Sequence, residues 1–373
     1  MANIVVEATG AAIVAGAAGV AATAPVDAGG PFGYLAEGAR TNLALQSQTF
    51  GTTWAPGNVL DSDVTSDVAG APDGTTTADK VRELATTAAH YVVQTAVTST
   101  AGVFSVYLKA AERTKAWIYM QASTQAIAYF DLSAGTAGTV SGTLSPTSGI
   151  QALPNGWYRC WIYATGLTAI QPIGLGPTTT DNVLSYAGTA TYGVYMWGAQ
   201  FESATFPSTY IPTTTVAVTR AADVDQYVSS GNLPTNNFTL YGKIVWPQVL
   251  PAGNYYLFGS YVDANNSTSA LWDGTNLIAR KRIAGVNTDA TKALAPVANT
   301  HIKWAARFSS TAGIDIFHTG AIGTNDPTIT ACQIGANFQI GADGNGAGQP
   351  YACLPMLTIL ERETSARLQA MTG

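Results

Sequence analysis

The sequence predicts an all-β chain: two tandem antiparallel β-sandwiches preceded by an extended N-terminal arm. Three observations predict it. Short runs rich in β-branched and aromatic residues recur from about residue 90 to residue 341, most of them bounded by Gly, Pro, Ser or Asp, as in sandwiches and barrels. Charged residues make up 11% of the 373 positions, well below the roughly 25% of ordinary soluble domains, while apolar residues reach 47%. No apolar run approaches the ~20 residues of a membrane-spanning helix. The length suits two domains and a tail. A net charge of −6 without clustered Lys and Arg argues against a nucleic-acid partner.

Residues 1–31 form the arm. They are mostly Ala, Gly and Val, with Glu7 and Asp27 as the charges. Such small side chains bury too little area to close a core, and Gly10, Gly16 and Gly19 disfavour an isolated helix. The expectation is a segment that orders against a partner, with a flexible tail as the alternative. It lacks the basic start of a signal peptide, and Glu7 interrupts its apolar opening. The first sandwich spans 32–226, with strands expected over 90–94, 102–109, 116–121, 126–132, 156–164 and 191–201. By the period of two, Phe104, Val106 and Leu108 share one face. In the run from Trp157 to Tyr163, Tyr158, Cys160 and Ile162 are expected to point inward. The stretch from Tyr192 to Val224 organises this domain: Val194 and Met196 face one way, Tyr195 and Trp197 the other, so both faces need cover. Pro207 and Pro212 then end any regular ladder. The second sandwich spans 227–373, with strands over 238–245, 255–261, 269–272, 276–282, 300–308, 314–318 and 336–341. Gly274 and Gly313 mark tight turns. In the closing stretch from Leu354 to Met371, Thr364 is placed to cap a helical turn, and Leu368 and Met371, three residues apart, to pack on the sandwich.

Several ordered motifs carry a resemblance. GVYMWGAQFE followed by FPSTYIPTTTVAVTRAADV resembles a module of tailed-phage virion proteins, among them head-fibre, head-spike and tail-fibre chains. FGYLAEGARTNLALQSQTF with Trp54, Pro72-Asp73-Gly74, Ala78-Asp79-Lys80-Val81, FSVYLKAAERTKA and NGWYRC are similar to its other pieces, in the same order. The match covers roughly 32–224. It implies a jelly roll like a carbohydrate-binding module, carried on a phage particle. Residues from about 230 to the end resemble laminin-G or concanavalin-like jelly rolls, chiefly in how they close. The implied function is a non-enzymatic structural protein that decorates or projects from the virion, with weak glycan adhesion. The rivals are a tail-fibre receptor-binding protein for a host surface polysaccharide and a polysaccharide depolymerase. The implied partners are other virion proteins through the arm, further copies of the chain (a trimer, by likeness to fibres) and host glycans. The implied location is the virion, assembled in host cytoplasm.

Residue chemistry favours no catalysis. Glycosidases need two carboxyl groups about 5–9 Å apart, and laminarinase-type concanavalin-like enzymes flank an aspartate with two glutamates on one strand. Here Glu361 and Glu363 have only Arg362 between them. Glu83, Glu112, Asp131 and Glu202 read as solvated or turn residues. His90, His301 and His318 are far apart, and neither G-x-S-x-G nor H-E-x-x-H occurs. Asp343 and Asn345, like Asp263, Asn265 and Asn266, read as turns. A structural calcium, which needs six to eight oxygens, is the alternative, so no cofactor is expected. Cys160, Cys332 and Cys353 read as free thiols, with a Cys332–Cys353 disulfide if their strands are neighbours. Trp117, Tyr119, Trp161, Tyr163, Tyr255, Tyr256, Tyr261 and Trp272 are the aromatic reserve for stacking sugars. Trp161, Trp272 and Tyr261 are the named glycan-binding candidates.

Overall fold

The computed structural model describes residues 5–7, 34–56, 61–97, 99–121, 125–167, 171–246, 250, 253–298, 300–349, 352–360 and 363–373. They fall into two compact units, one of residues 40–220 and one that combines 34–39 with 221–373 and the strand Val5–Glu7. Antiparallel β-sheet dominates both, as the sequence predicts. The N-terminal arm lies outside the described residues apart from Val5–Glu7, whose backbone pairs with Met356, Leu357 and Thr358.

The unit of residues 40–220 is built from two six-stranded sheets. One runs Thr136–Gly142, Gln125–Asp131, Lys115–Gln121, Gln171–Thr178, Val92–Val97, Ala55–Pro56. The other runs Thr147–Ala152, Trp157–Thr165, Ala101–Ala110, Gly193–Glu202, Ala78–Glu83, Ser62–Ala69. The chain crosses repeatedly from sheet to sheet, so both contribute to one core. Alternation decides what enters it. Phe104, Val106 and Leu108 meet Ile118, Met120, Ile173 and Leu175 there, with Cys160, Ile162, Val194 and Met196. Tyr158 packs against the same core, half-buried.

The opposite face of the second sheet is also covered. Trp157, Trp197 and Tyr107 form a smaller cluster there with Tyr210 packed on it. The indole nitrogens of Trp157 and Trp197 donate to Gly70 O (3.0 Å) and Thr77 Oγ1 (3.1 Å), tying the 70–77 loop over them. This is the two-sided cover that the mixed faces of Val194–Trp197 require. The strand then changes phase. The register shifts between Trp197 and Gln200, and Gly198 takes a φ of +65°. A β-bulge adds one residue and swaps the faces of all that follow. Ala199 and Phe201 therefore point into the core, and Gln200 and Glu202 point away from it. A side chain at 198 would suffer twice, since its Cβ would lie 2.8 Å from Tyr107 in a conformation that favours glycine.

In the other unit one sheet runs Val5–Glu7, Ala352–Leu360, Asn237–Val245, Ile302–Ser309, Gly313–His318, Ala321–Ile322, with Tyr34–Ala36 also pairing on Ala352–Leu360. Its partner runs Asp225–Val228, Asn337–Ile340, Tyr255–Asp263, Asn266–Trp272, Asn276–Ile283, Val286–Ala293. Phe238, Phe258, Phe308 and Phe338 are buried, and Phe238 packs its ring 4.9 Å from Phe308 and 6.2 Å from Phe258. The chain closes as the sequence predicts. Thr364 Oγ1 accepts from Arg367 N at 3.3 Å, capping the helix Ser365–Thr372. Leu368 is buried against Ala305 and Phe317, with Met371 beside it.

Candidate functional site

Several buried polar residues of the 40–220 unit are internal pegs. Asn42 is fully buried, and its side chain makes four hydrogen bonds. Nδ2 donates to Ala199 O (3.1 Å) and Ile211 O (2.8 Å), and Oδ1 accepts from Ala44 N and Phe201 N, both at 3.0 Å. Glu202 accepts from Ser208 Oγ (2.5 Å), Ser208 N (2.9 Å) and Gln200 Nε2 (2.8 Å), with Arg40 Nε 3.8 Å away. Gln200 Oε1 takes Ile211 N at 2.7 Å, and Ser47 Oγ bonds the Tyr210 hydroxyl at 2.6 Å. Asp79 accepts from Phe50 N (2.8 Å) and Asp67 N (2.9 Å); burial pushes its carboxyl up despite these bonds. The segment Phe206–Thr213, which cannot pair as a strand, is thus held by side chains. Glu202 is not the solvated residue that its place at a strand end suggested. It is 1% exposed, because the bulge turns it under that segment.

A second buried group has the composition of an active site. Glu83, fully buried, receives Arg113 Nε at 2.7 Å, correcting the expectation that it is solvated. The Arg113 guanidinium lies 5.6 Å from the ring of Tyr186, which in turn sits edge-on to His90 at 4.9 Å. His90 Nδ1 contacts Asp61 O, while His90 Nε2 and Glu83 Oε2 have no hydrogen-bond partner. Both residues are 0% exposed. A reacting group needs hydrogen-bond access to its substrate, and this enclosure gives none. Burial pushes the Tyr186 hydroxyl far up, with the neighbouring Glu83 adding to it.

The other candidate carboxylates and loops are also engaged. Asp131 is paired with Lys115 and bonded by Ser133. Glu363 forms an ion pair with Arg367 at 3.1 Å, and Glu361 lies outside the described residues. Asp343 Oδ1 accepts Asn345 N (2.7 Å) and Ala347 N (3.1 Å), and Asp263 Oδ1 accepts Asn265 N (2.7 Å), so both loops are closed turns. Among the described residues no three His, Cys, Asp or Glu side chains gather where a metal could sit. Cys160 and Cys332 are free thiols. Burial pushes the Cys332 thiol up to about 11, and Cys160 well above its ordinary value.

The glycan candidates separate cleanly. Trp272 is 1% exposed, packed between Trp246 (5.4 Å) and Tyr255 (5.7 Å), with its Nε1 on Leu294 O. It offers a sugar no open face. Trp117 and Tyr119 are buried with Ile127 and Tyr129. Tyr261 is half-buried beside the exposed Val262. Trp161 is half-buried on the outer face of its sheet, with Tyr163 two residues on, roughly 7 Å along the strand. Across the ladder Trp161 pairs with Gly149 of the edge strand Thr147–Ala152. A Cβ there would come within 2.5 Å of the indole Cζ2. The missing side chain leaves room for the indole to pack directly over Gly149 of the edge strand. Arg159, on the same face, is held by Ser105 Oγ (3.1 Å) and the Tyr107 ring (5.3 Å). Trp161 and Tyr163 thus share one half-buried outer face, as their spacing on a single strand dictates, while Trp272 is out of reach.

No family model matches the sequence, and no curated protein is similar to it. Solved structures similar to the chain include a native heptameric SAP-like pentraxin from Limulus polyphemus, at 13% identity over 37% of this chain and 70% of that one, with a TM-score of 0.28. Another is the LG4-5 pair of the mouse laminin alpha1 chain, at 10% identity over 75% and 88%, TM-score 0.31. A third is a xylan beta-1,4-xylosidase from Bacillus halodurans, at 9% identity over 65% and 64%, TM-score 0.23.

Proposed function

We propose that the chain is a non-enzymatic structural protein of a bacteriophage particle, which decorates or projects from the virion and adheres weakly to glycans through Trp161 and Tyr163. The observation that carries the reading is that the residues of the virion-module resemblance work together. Asn42 and Asp79 lie far in sequence from Gln200, Glu202 and Ser208, yet all five are buried pegs of one sandwich. A shared motif of this kind marks a shared scaffold rather than shared chemistry. The non-catalytic part is supported by the engagement of Glu83, Asp131 and Glu202 in ion pairs and hydrogen bonds. The Val5–Glu7 pairing on Ala352–Leu360 supports an arm that adds strands to open edges, whether of this chain, a second copy in a homo-oligomer, or another virion protein.

Gold labelling of intact particles with serum against the purified chain tests the virion assignment. Label over the capsid supports decoration or a head fibre. Label at the tail tip moves the reading to a receptor-binding protein, which the open aromatic face also suits. Unlabelled particles overturn the assignment. Adhesion is tested separately on a glycan array, where Trp161→Ala is expected to abolish binding and Trp272→Phe, in the core, to leave it in place.

A further inference from the structure

We propose that a shallow groove on the outer face of the second sheet of the 40–220 unit binds an acidic sugar residue, its carboxylate on Lys80 and Arg82 and its ring against Tyr195. The proposal rests on the glycan-adhesion part of the preceding reading and not on the virion assignment. The groove has a volume of about 290 Å³ and is lined by Thr65, Val68, Lys80, Arg82, Glu112 and Tyr195, among others. That is the small end of ligand sites, which run from ~300 to 1,000 Å³, and it suits one sugar unit of a longer chain. The pleat explains how these side chains meet. Tyr195 pairs with Lys80, and Lys80 with Thr65, so the three share one face across three strands.

The lining combines what an acidic pyranose needs. Tyr195 is half-buried and Val68 is 42% exposed, giving apolar surface for the carbon face of a sugar. An inorganic anion would leave that surface unused. Lys80 Nζ stands over the Tyr195 ring, 5.9 Å from its centre, so cation and ring line the groove together. Arg82 is paired with Asp63 through one nitrogen and keeps 30% of its side chain exposed.

Glu112 supplies the second observation. It sits on the turn between the strands Ala101–Ala110 and Lys115–Gln121, 42% exposed, with Oε2 2.6 Å from Lys80 Nζ. Burial pushes its carboxyl up, but the hydrogen bond and charge of Lys80, with backbone hydrogen bonds at Glu112 and Gly193, together hold it below the ordinary value. The chain thus keeps a carboxylate of its own on the groove's cation. A ligand carboxylate would displace it, and Glu112 would swing into water, which its exposure permits.

The competition gives the test a sign that a structural role does not mimic. The full-length protein is titrated calorimetrically with a tri-uronate oligosaccharide, with the matching neutral trisaccharide and inorganic phosphate as controls. Arg82→Gln is expected to weaken uronate binding at least about tenfold, since a charge-assisted hydrogen bond carries about that much, and Tyr195→Ala to weaken it severalfold through loss of the ring that packs on the sugar. Glu112→Gln, which frees Lys80, is expected to tighten it severalfold. Circular dichroism confirms folding of each variant. Uronate affinity unchanged in Arg82→Gln, or weakened in Glu112→Gln, overturns the proposal, as does phosphate or neutral sugar binding as tightly as uronate. Loss of neutral-glycan binding in Trp161→Ala with uronate binding retained separates this groove from the aromatic face. Unlabelled particles with uronate binding intact remove the virion assignment and leave the groove.

Discussion

Replacing Asn42 by Ala tests whether the recognisable motif is a scaffold. The side chain is fully buried and serves four backbone groups: Ala44 N and Phe201 N on its oxygen, Ala199 O and Ile211 O on its nitrogen. Truncation leaves two buried amides without acceptors, at about 1–3 kcal/mol each, so about 4 kcal/mol is expected from these alone. The carbonyls, with second lone pairs, add less. A domain stable by about 5–15 kcal/mol would lose a large share of its stability. The assay is urea unfolding read by hydrogen exchange, which follows peptides of the 40–220 unit separately from those of the other. Peptides spanning Phe206–Thr213 should lose protection first, because Ile211 is tied directly to Asn42. Asn42→Asp should also destabilise at neutral pH, since it sets a carboxylate oxygen against two carbonyls. A loss below about 1 kcal/mol in Asn42→Ala, with protection of 206–213 unchanged, would refute the peg argument.

Three further outcomes follow from the same geometry. Gly198→Ala forces a positive φ on alanine and brings Cβ to 2.8 Å from Tyr107, so about 2 kcal/mol and a melting-temperature drop of roughly 4–8 °C are expected by differential scanning calorimetry. Asp131 is held well below the ordinary carboxylate value of 3.8 by Lys115 first and Ser133 second. Its contribution is therefore present above that value and lost as the pH falls through the depressed folded-state value. Asp131→Asn should lower stability at pH 7 and flatten its acid dependence below about pH 4 in thermal melts. Thr364→Ala removes the cap on Arg367 N and should cost about 1 kcal/mol, seen as faster hydrogen exchange over 365–372 with the sheets unchanged.

What the sequence made legible is set by how many faces of an element carry information. The strand Ala101–Ala110 was readable because Phe104, Val106 and Leu108 repeat on one face, and Trp157–Thr165 because Cys160 and Ile162 do. Arg159, 5% exposed, was not, since periodicity says which side a residue takes and nothing about what lies over it. Thr136–Gly142 and Thr147–Ala152 are largely polar edge strands that bury little, so they carry no apolar alternation to detect. The bulge at Gly198 was hidden for another reason. Glycine is equally at home in a turn, and only the reversal of faces at Ala199 and Phe201 identifies it. That same reversal buries Glu202, which is why a strand-end position made it look solvated.

The functional surfaces were harder to read for a reason that follows from this. Asn42, Asp79, Gln200 and Glu202 are each bound to backbone groups or neighbouring pegs at fixed places, a constraint that this scaffold imposes on their side chains. A surface that touches a ligand has no such obligation. Trp161 was singled out as an aromatic on a strand, but what favours it over Trp272 is Gly149, which is adjacent only in the ladder. The groove is less visible still. Thr65, Lys80, Glu112 and Tyr195 come from three strands and a turn, and no two of them stand at a spacing that means anything in sequence. Register converts them into neighbours. It follows that changes at 80, 82, 112 and 195 can alter what the face binds while the pegs, and with them the resemblance, stay untouched.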